Sequence, residues 1–278
     1  MRKYLLSIIS VTVLCVQPAF TQQASCIPVR DIPENIRSFN SGEKLTYIFG
    51  YTWGVIDTDV AEAVLSVNRR SDESGEHFLT KLDGRTYKFF DIFFKVRYNF
   101  EAKFDISNGR PNYFFRDVIE GKHVKKNYLY FQPDYSIKST VQRAGRPQRD
   151  TLLIGRECTF DLLSLIYFSR NIDLTNIAPE TVLPISFVID GMIYDIYFRY
   201  IGPEVKKIPR VGQFNTLKFA IQVVIGDVFK GKDELMLWVT DDKNRIPIFF
   251  ESPISVGKVS GRISKYENIK HPLVSKIK

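Results

Sequence analysis

From Arg97 to Ile106 apolar and polar residues alternate without a break. Tyr98, Phe100, Ala102, Phe104 and Ile106 fall on one side, and Arg97, Asn99, Glu101, Lys103 and Asp105 on the other. Successive side chains of a strand point to opposite faces, so this segment makes a strand with one buried and one wetted face. Such strands are the habit of antiparallel sheets. The same period returns at Leu217, Phe219, Ile221, Val223 and Ile225, and at Met192, Tyr194, Ile196, Phe198 and Tyr200. Turn-forming residues separate the runs: Ser107-Asn108-Gly109, Glu120-Gly121-Lys122, Asp190-Gly191 and Lys230-Gly231-Lys232. Asp190-Gly191 between two apolar runs is the clearest hairpin.

The fold expected from this pattern is mainly β. About eleven or twelve strands make antiparallel curved sheets that form an open or partly closed barrel, or two packed curved sheets. An outer-membrane barrel is disfavoured, because its lipid-facing side would be apolar along every strand, and here that side carries Arg97, Glu101 and Lys103.

One segment breaks the period. Phe160 to Arg170 is apolar on nearly every side, with Phe160, Leu163 and Tyr167 at helical spacing. Thr159 is placed to cap it, Asp161 suits the first turn and Arg170 the last. A helix apolar all round is a buried one, so a central helix is expected over about 159–171, inside the curved sheet. A second short helix is expected over about 86–94, where Phe89, Phe90, Ile92, Phe93 and Phe94 crowd together, with a bulged strand as the alternative.

The N-terminus reads as a secretion signal over residues 1–21: Arg2 and Lys3, a mainly apolar run from Tyr4 to Val16, Pro18, then Ala19-Phe20-Thr21. An N-terminal arm follows over 22–40, a single β-rich domain over 41–268 and a basic tail over 269–278. After residue 21 no stretch approaches the roughly 18 uninterrupted apolar residues of a membrane helix, so the mature chain is not expected to span a membrane with helices. The expected location is the periplasm or cell envelope. Cleavage removes Arg2 and Lys3 and lowers the formal charge from +8 to +6. Basic residues gather at Lys122 to Lys126, Arg143 to Arg149 and Lys270 to Lys278, read as solvated strand ends and turns. Nucleic acid is not an expected partner of an exported chain. Cys26 and Cys158 remain after cleavage and are able to form one disulfide in an oxidising compartment. Alternatively Cys26, which follows Ala24-Ser25, carries a lipid anchor, although Gln23 stands where an aliphatic residue belongs.

Motifs for chemistry are sparse. His77, His123 and His271 share no ligand spacing, so no metal is expected. No G-x-S-x-G elbow, P-loop or dinucleotide fingerprint is present, and no cofactor is expected. Asp241 and Asp242 are candidates for an acid and a base of glycan hydrolysis, but adjacent strand residues face opposite ways. The favoured reading of Asp241-Asp242-Lys243-Asn244 is a turn, with Arg245 paired to an acidic neighbour. Asp161, Tyr167 and Arg170 form a polar set on the helix; Arg170 has the fork to hold an anionic ligand bidentately. With Trp238 and Arg245 these three are the candidate ligand-binding residues, and no residue is assigned a catalytic role.

The same segments carry a family likeness. Gly42, Glu43, Leu45 and Tyr47, followed by Trp53-Gly54, make an opening motif. Asp161, Leu163, Ser164, Tyr167 and Arg170 make a helix motif; Trp238, Thr240, Asp241, Asp242, Arg245 and Pro247 make a hairpin motif, with Val239 as one extra residue. Together they resemble the domain-of-unknown-function family 3108 of exported Gram-negative envelope proteins, from about Phe39 to Tyr266. The resemblance implies export, one β-rich domain and no established activity.

Three functions remain in view. The first is a non-catalytic binding protein for a lipid or other amphipathic ligand, suggested by the aromatic stock and a sheet too large for one helix to cover. The second is a structural or assembly factor contacting envelope proteins through exposed strand edges. The third, least favoured, is a glycan-acting enzyme using Asp241, Asp242 or Asp161. The buried-helix reading gives a stability prediction. Leu163→Ala should cost about 2–5 kcal/mol, a large share of the ~5–15 kcal/mol that usually holds a domain. Asp161→Asn should cost about a kilocalorie or less if its carboxylate only meets the helix start. Thermal melting checks both, and a Leu163→Ala protein that melts like wild type would mean a mobile lid.

Overall fold

The computed structural model describes residues 26–73, 75–222 and 234–277. The expected signal peptide at 1–21, the far half of the run through Val223 and Ile225, and the Lys230-Gly231-Lys232 turn lie outside the described residues. In chain order the elements are β1 (Lys44–Trp53), β2 (Ile56–Asp72), β3 (Gly75–Thr86), α1 (Lys88–Phe94), β4 (Val96–Asp105), β5 (Pro111–Glu120), β6 (His123–Phe131), β7 (Ser136–Arg143), β8 (Arg149–Ile154) and β9 (Thr159–Phe160). They continue with α2 (Leu162–Ser169), β10 (Val182–Ile189), β11 (Met192–Ile208), β12 (Gly212–Gln222), β13 (Glu234–Thr240), β14 (Pro247–Pro253) and β15 (Lys258–Glu267).

Among the described residues there are fifteen strands, not eleven or twelve, and all lie in one sheet ordered β8-β7-β6-β5-β4-β3-β2-β1-β15-β14-β13-β12-β11-β10-β9. Short strands such as β8 and β9 carry too few alternating residues to be counted from sequence. The order is two antiparallel meanders joined side by side where β1 pairs β15. Only β9 runs parallel to its neighbour, at Ser186↔Thr159 and Phe187↔Phe160.

The sheet curves into a barrel that its strands do not close, for β8 and β9 are free edges. Side chains bring the ends together instead. The β10–β11 hairpin turns at Asp190 (φ 54°) and Gly191 (φ 77°), both in the left-handed region that this tight turn requires. Its tip then reaches the opposite meander. Lys125 Nζ donates to Asp190 Oδ2 at 2.6 Å, Arg149 Nη2 donates to the Asp190 carbonyl at 2.6 Å, and Asp190 N donates to Asn127 Oδ1 at 3.1 Å.

Helix α2 lies against β3, β4 and β10 on the inner face. Its two sides feed two apolar clusters. Leu163 and Tyr167 join Phe39, Phe78, Phe104 and Phe114. Leu165 and Phe168 join Phe160, Phe187, Phe198 and Phe219. Phe160, Leu163 and Tyr167 are fully buried, while Ile166 is half-buried. The helix starts later than the sequence suggests. Thr159 and Phe160 form β9, so Thr159 is not the cap; its hydroxyl accepts from Arg156 N and meets Ser186 Oγ. Asp161 is itself the cap. The second helix exists as α1 and not as a bulged strand, but Phe89, Phe93 and Phe94 face outward and only Phe90 is half-buried.

Cys26 and Cys158 form a disulfide, tying the N-terminal arm to the segment before β9. This bond occupies Cys26 Sγ, the atom a lipid anchor would need, and so replaces lipidation as the reading of Cys26. The basic tail is also docked, not free. Asn215 N donates to the Ser275 carbonyl at 2.8 Å and Ile277 N to the Gln213 carbonyl at 2.7 Å. The tail thus takes the side of β12 that β13, whose pairing with β12 begins at Thr216↔Thr240, leaves open.

Candidate functional site

Arg170 ends α2 and is 2 % exposed. Its Nη1 and Nη2 grip the two oxygens of Glu43 at 2.5 and 2.9 Å. Its Nε donates to the Asn244 carbonyl at 3.0 Å, and Nη2 donates again to the Ser38 carbonyl at 3.1 Å. The rings of Phe39 and Tyr167 flank the guanidinium. Burial alone would lower the Arg170 pKa, but the charge and hydrogen bonds of Glu43 hold it above its ordinary value. The fork expected to take an anionic ligand is therefore filled by the protein's own carboxylate. Glu43, Arg170 and Asn244 come from the opening, helix and hairpin segments, which meet at this point. Sequence reasoning noted Glu43 without pairing it; Glu43 lies between Gly42 and Lys44, and nothing in that polar stretch points to Arg170.

Asp161 sits at the other end of α2, fully buried, and contacts neither Arg170 nor Arg245. Its Oδ1 accepts from Leu163 N at 2.8 Å and Ser164 N at 3.0 Å, and its Oδ2 from Ser164 Oγ at 2.5 Å. Burial pushes its carboxyl up to about 6, against these hydrogen bonds. Tyr167 is fully buried between Phe39 and Phe104, with ring centroids 4.7 and 5.7 Å away. Burial pushes its hydroxyl well above the usual phenol range.

The hairpin residues are structural as well. Asp242 Oδ1 accepts from Thr240 Oγ1 and Asn244 N, and its Oδ2 from Ser275 Oγ at 2.6 Å, so this carboxylate pins the turn and the tail. Asp241 is exposed at the same turn. Neither flanks a cleft with Asp161. Trp238 is buried on the sheet face opposite Leu237, with Lys206 Nζ 3.7 Å from its ring centroid and Phe249 edge-on at 5.3 Å. Arg245 departs from expectation, because it makes no ion pair among the described residues. Its backbone is left-handed (φ 48°), and its side chain lines small hollows beside Ile172, Leu174 and Asn171. Burial lowers its pKa despite the fields of Asp241, Asp242 and Asp173. Thus Tyr167 and Arg170 meet, Arg245 neighbours them through Asn244, and Asp161 and Trp238 lie elsewhere.

An apolar cavity able to hold a ligand was not assigned from sequence. Beside α2 the inner face lines an open-sided cavity of about 290 Å³. Phe49, Leu65, Phe198, Leu237 and Phe250 line it from both meanders, and Leu165 and Ile166 from α2. Two hydroxyls reach its wall, and both are satisfied by the protein: Tyr47 donates to the Pro247 carbonyl and Ser169 to the Ile166 carbonyl. Phe49 and Phe250 meet edge-on at 5.6 Å over Gly261, the residue both pair with. A Cβ there would stand 2.1 Å from the Phe250 ring.

The family model described as "Protein of unknown function (DUF3108)" matches residues 46–264. The chain belongs to the DUF3108 family. No curated protein matches it in sequence. It is similar in fold to a beta-barrel-like protein of the domain of unknown function DUF1849 from Brucella abortus, with a TM-score of 0.52 and 8% identity over 84% of this chain and all of that one. A weaker likeness is to a protein described as exported, with a YmcC-like fold, from Bacteroides fragilis; its TM-score is 0.35 and its identity 8%, over 86% of this chain and all of that one.

Two predictions test the structural role of the DUF3108 motifs. Removing one partner of a buried ion pair leaves a bare buried charge, so Glu43→Ala should cost about 3–5 kcal/mol in urea unfolding. Glu43→Leu with Arg170→Met should cost far less than the two single changes together. For Asp161, the folded pKa lies above the unfolded value of 3.8. Its contribution is therefore most favourable below about pH 4 and is lost as pH rises to about 6. Asp161→Asn keeps the two backbone acceptor bonds and should flatten that slope, melting at or above wild type at neutral pH. Asp161→Ala, lacking the cap, should lose about 0.5–2 kcal/mol.

Proposed function

We propose that this DUF3108 protein is an exported envelope protein that binds the hydrocarbon part of a lipid or similar amphiphile inside its curved sheet. The observation that carries the reading is the cavity of about 290 Å³ whose polar wall groups are already hydrogen-bonded within the protein. A polar occupant would find no partner there and would forfeit its hydrogen bonds to water. An apolar chain loses nothing and removes its surface from water. The volume sits at the lower edge of the ~300–1,000 Å³ typical of small-molecule sites. Export is supported by the N-terminal signal pattern and by the Cys26–Cys158 disulfide, a bond that persists in oxidising compartments.

The assembly-factor reading has one observation in its favour. β8 is a free edge with Leu152 and Ile154 exposed, where a partner strand has room to pair. In-cell crosslinking followed by pull-down separates the two readings.

The ligand reading is tested by purifying the protein from the periplasm, extracting it and identifying released lipids by mass spectrometry. A fluorescent long-chain fatty acid should bind saturably. Ile166→Phe, which pushes a ring into the cavity, should weaken that binding by roughly tenfold or more while leaving the melting temperature within a few degrees of wild type. Absence of both co-purified lipid and saturable probe binding would defeat the reading.

A further inference from the structure

Strand register places four connections at one end of the barrel. Thr52 pairs with both Asp57 and Lys258, and Pro253 with Lys258, so the β1–β2 and β14–β15 turns lie side by side. β3 and β4 follow β2 in the sheet, and α1 links them at this end. Val96 pairs with Glu120, and Gly121 N donates to the Lys95 carbonyl at 2.8 Å, which sets the β5–β6 turn against α1. The Glu43–Arg170 pair and the β13–β14 turn are at the opposite end.

This rim is where the protein spends apolar surface on solvent. Trp53, Val55, Ile56 and Val256 project from the two turns, and Phe89, Ile92, Phe93 and Phe94 from α1 and its end, all exposed; Val55 is fully exposed and Ile92 79 % exposed. Single exposed apolar residues need no explanation, but a contiguous set at one end of a domain marks an interaction surface. The charges around it lean positive. Asp91 is paired with Arg97 at 2.5 Å and Glu251 with Lys258 at 3.0 Å, while Asp57 and Glu120 accept only from the hydroxyls of Thr52 and Tyr98 and keep their charge. Lys88, Lys95 and Lys122 are exposed and have no ion-pair partner among the described residues. Aromatic and aliphatic tips ringed by unpaired lysines match the boundary of an anionic bilayer, where rings enter the headgroup layer and ammonium groups meet phosphates.

We infer that this rim is a docking surface for an anionic phospholipid membrane, with Trp53, Val55, Phe89, Ile92 and Phe93 entering the interface and Lys88, Lys95 and Lys122 facing the lipid phosphates. The site is separate from the cavity, and its test does not depend on the cavity holding a ligand. The chain has two tryptophans, Trp53 on the rim and Trp238 buried, so a change in emission on adding vesicles reports on Trp53.

The mature protein should sediment with vesicles of phosphatidylcholine plus phosphatidylglycerol, with a blue shift of tryptophan emission, and bind pure phosphatidylcholine more weakly. Ile92→Ser with Phe93→Ser should reduce binding to the mixed vesicles by about tenfold or more and leave the melting temperature unchanged, since both side chains are exposed. Lys88→Glu with Lys95→Glu should remove the preference for phosphatidylglycerol, as should high salt. Binding that both double variants leave intact would overturn the inference. So would no vesicle binding with a rim-dependent dimer in analytical ultracentrifugation, which would assign the surface to a second copy of the chain.

Discussion

The ion pair between Arg170 and Glu43 is the joint on which the architecture turns. Taking two charges out of water is costly, and the cost is offset here because four donor contacts of the guanidinium find acceptors and both carboxylate oxygens are gripped. Those acceptors belong to the N-terminal arm at Ser38, the entry to β1 at Glu43 and the β13–β14 turn at Asn244. One side chain on α2 therefore fixes the helix, the arm and both meanders relative to one another. The tail joins the same assembly, since the Asn244 amide donates to the His271 carbonyl and Asp242 accepts from Ser275.

The residues that mark the family are thus mostly occupied with each other. Asp161 caps α2, Ser164 supports the cap, Tyr167 fills the core, and Tyr47 reaches across to the Pro247 carbonyl. A carboxylate already accepting three hydrogen bonds, as Asp161 does, or four, as Asp242 does, is poorly placed to serve as acid or base in a cleft. The surfaces with capacity to bind something are built mostly from other residues, the apolar walls of the cavity and the exposed tips at the rim, with Tyr47 and Pro247 contributing to the first and Trp53 to the second. The motifs describe mainly a scaffold; of their residues, Trp53 alone projects into solvent at the rim.

Much of the fold was legible because alternation is a local signal. Phe100, Ala102 and Phe104 are buried and Asn99 exposed as the period requires, and Asp190-Gly191 makes the expected hairpin. The buried α2 was legible from its all-round apolar character. Its start was not, because Thr159 and Asp161 are both good caps and only the parallel pairing of β9 with β10 decides between them. The fork of Arg170, expected to take an anionic ligand, is filled by Glu43, and a buried bidentate partner more than a hundred residues away leaves no local trace. Trp238 was misplaced for the simplest reason: alternation says that Leu237 and Trp238 face opposite ways, but not which of them faces the cavity. The cavity itself belongs to neither meander alone, so no stretch of sequence announces it.

The seam between β1 and β15 has a consequence for how the molecule is made. Within each meander every strand pairs with its sequence neighbour, and such hairpins close over short loops. The seam joins Lys44 to Glu267, nearly the whole length of the described chain. Loop-closure entropy makes this the slowest contact to form. Until the last strand is synthesised, β1 has an unpaired edge and the apolar inner faces of both meanders lack their cover. A nascent chain is therefore exposed to aggregation for most of its synthesis, and it gains its full set of strand pairings only when its C-terminal end arrives.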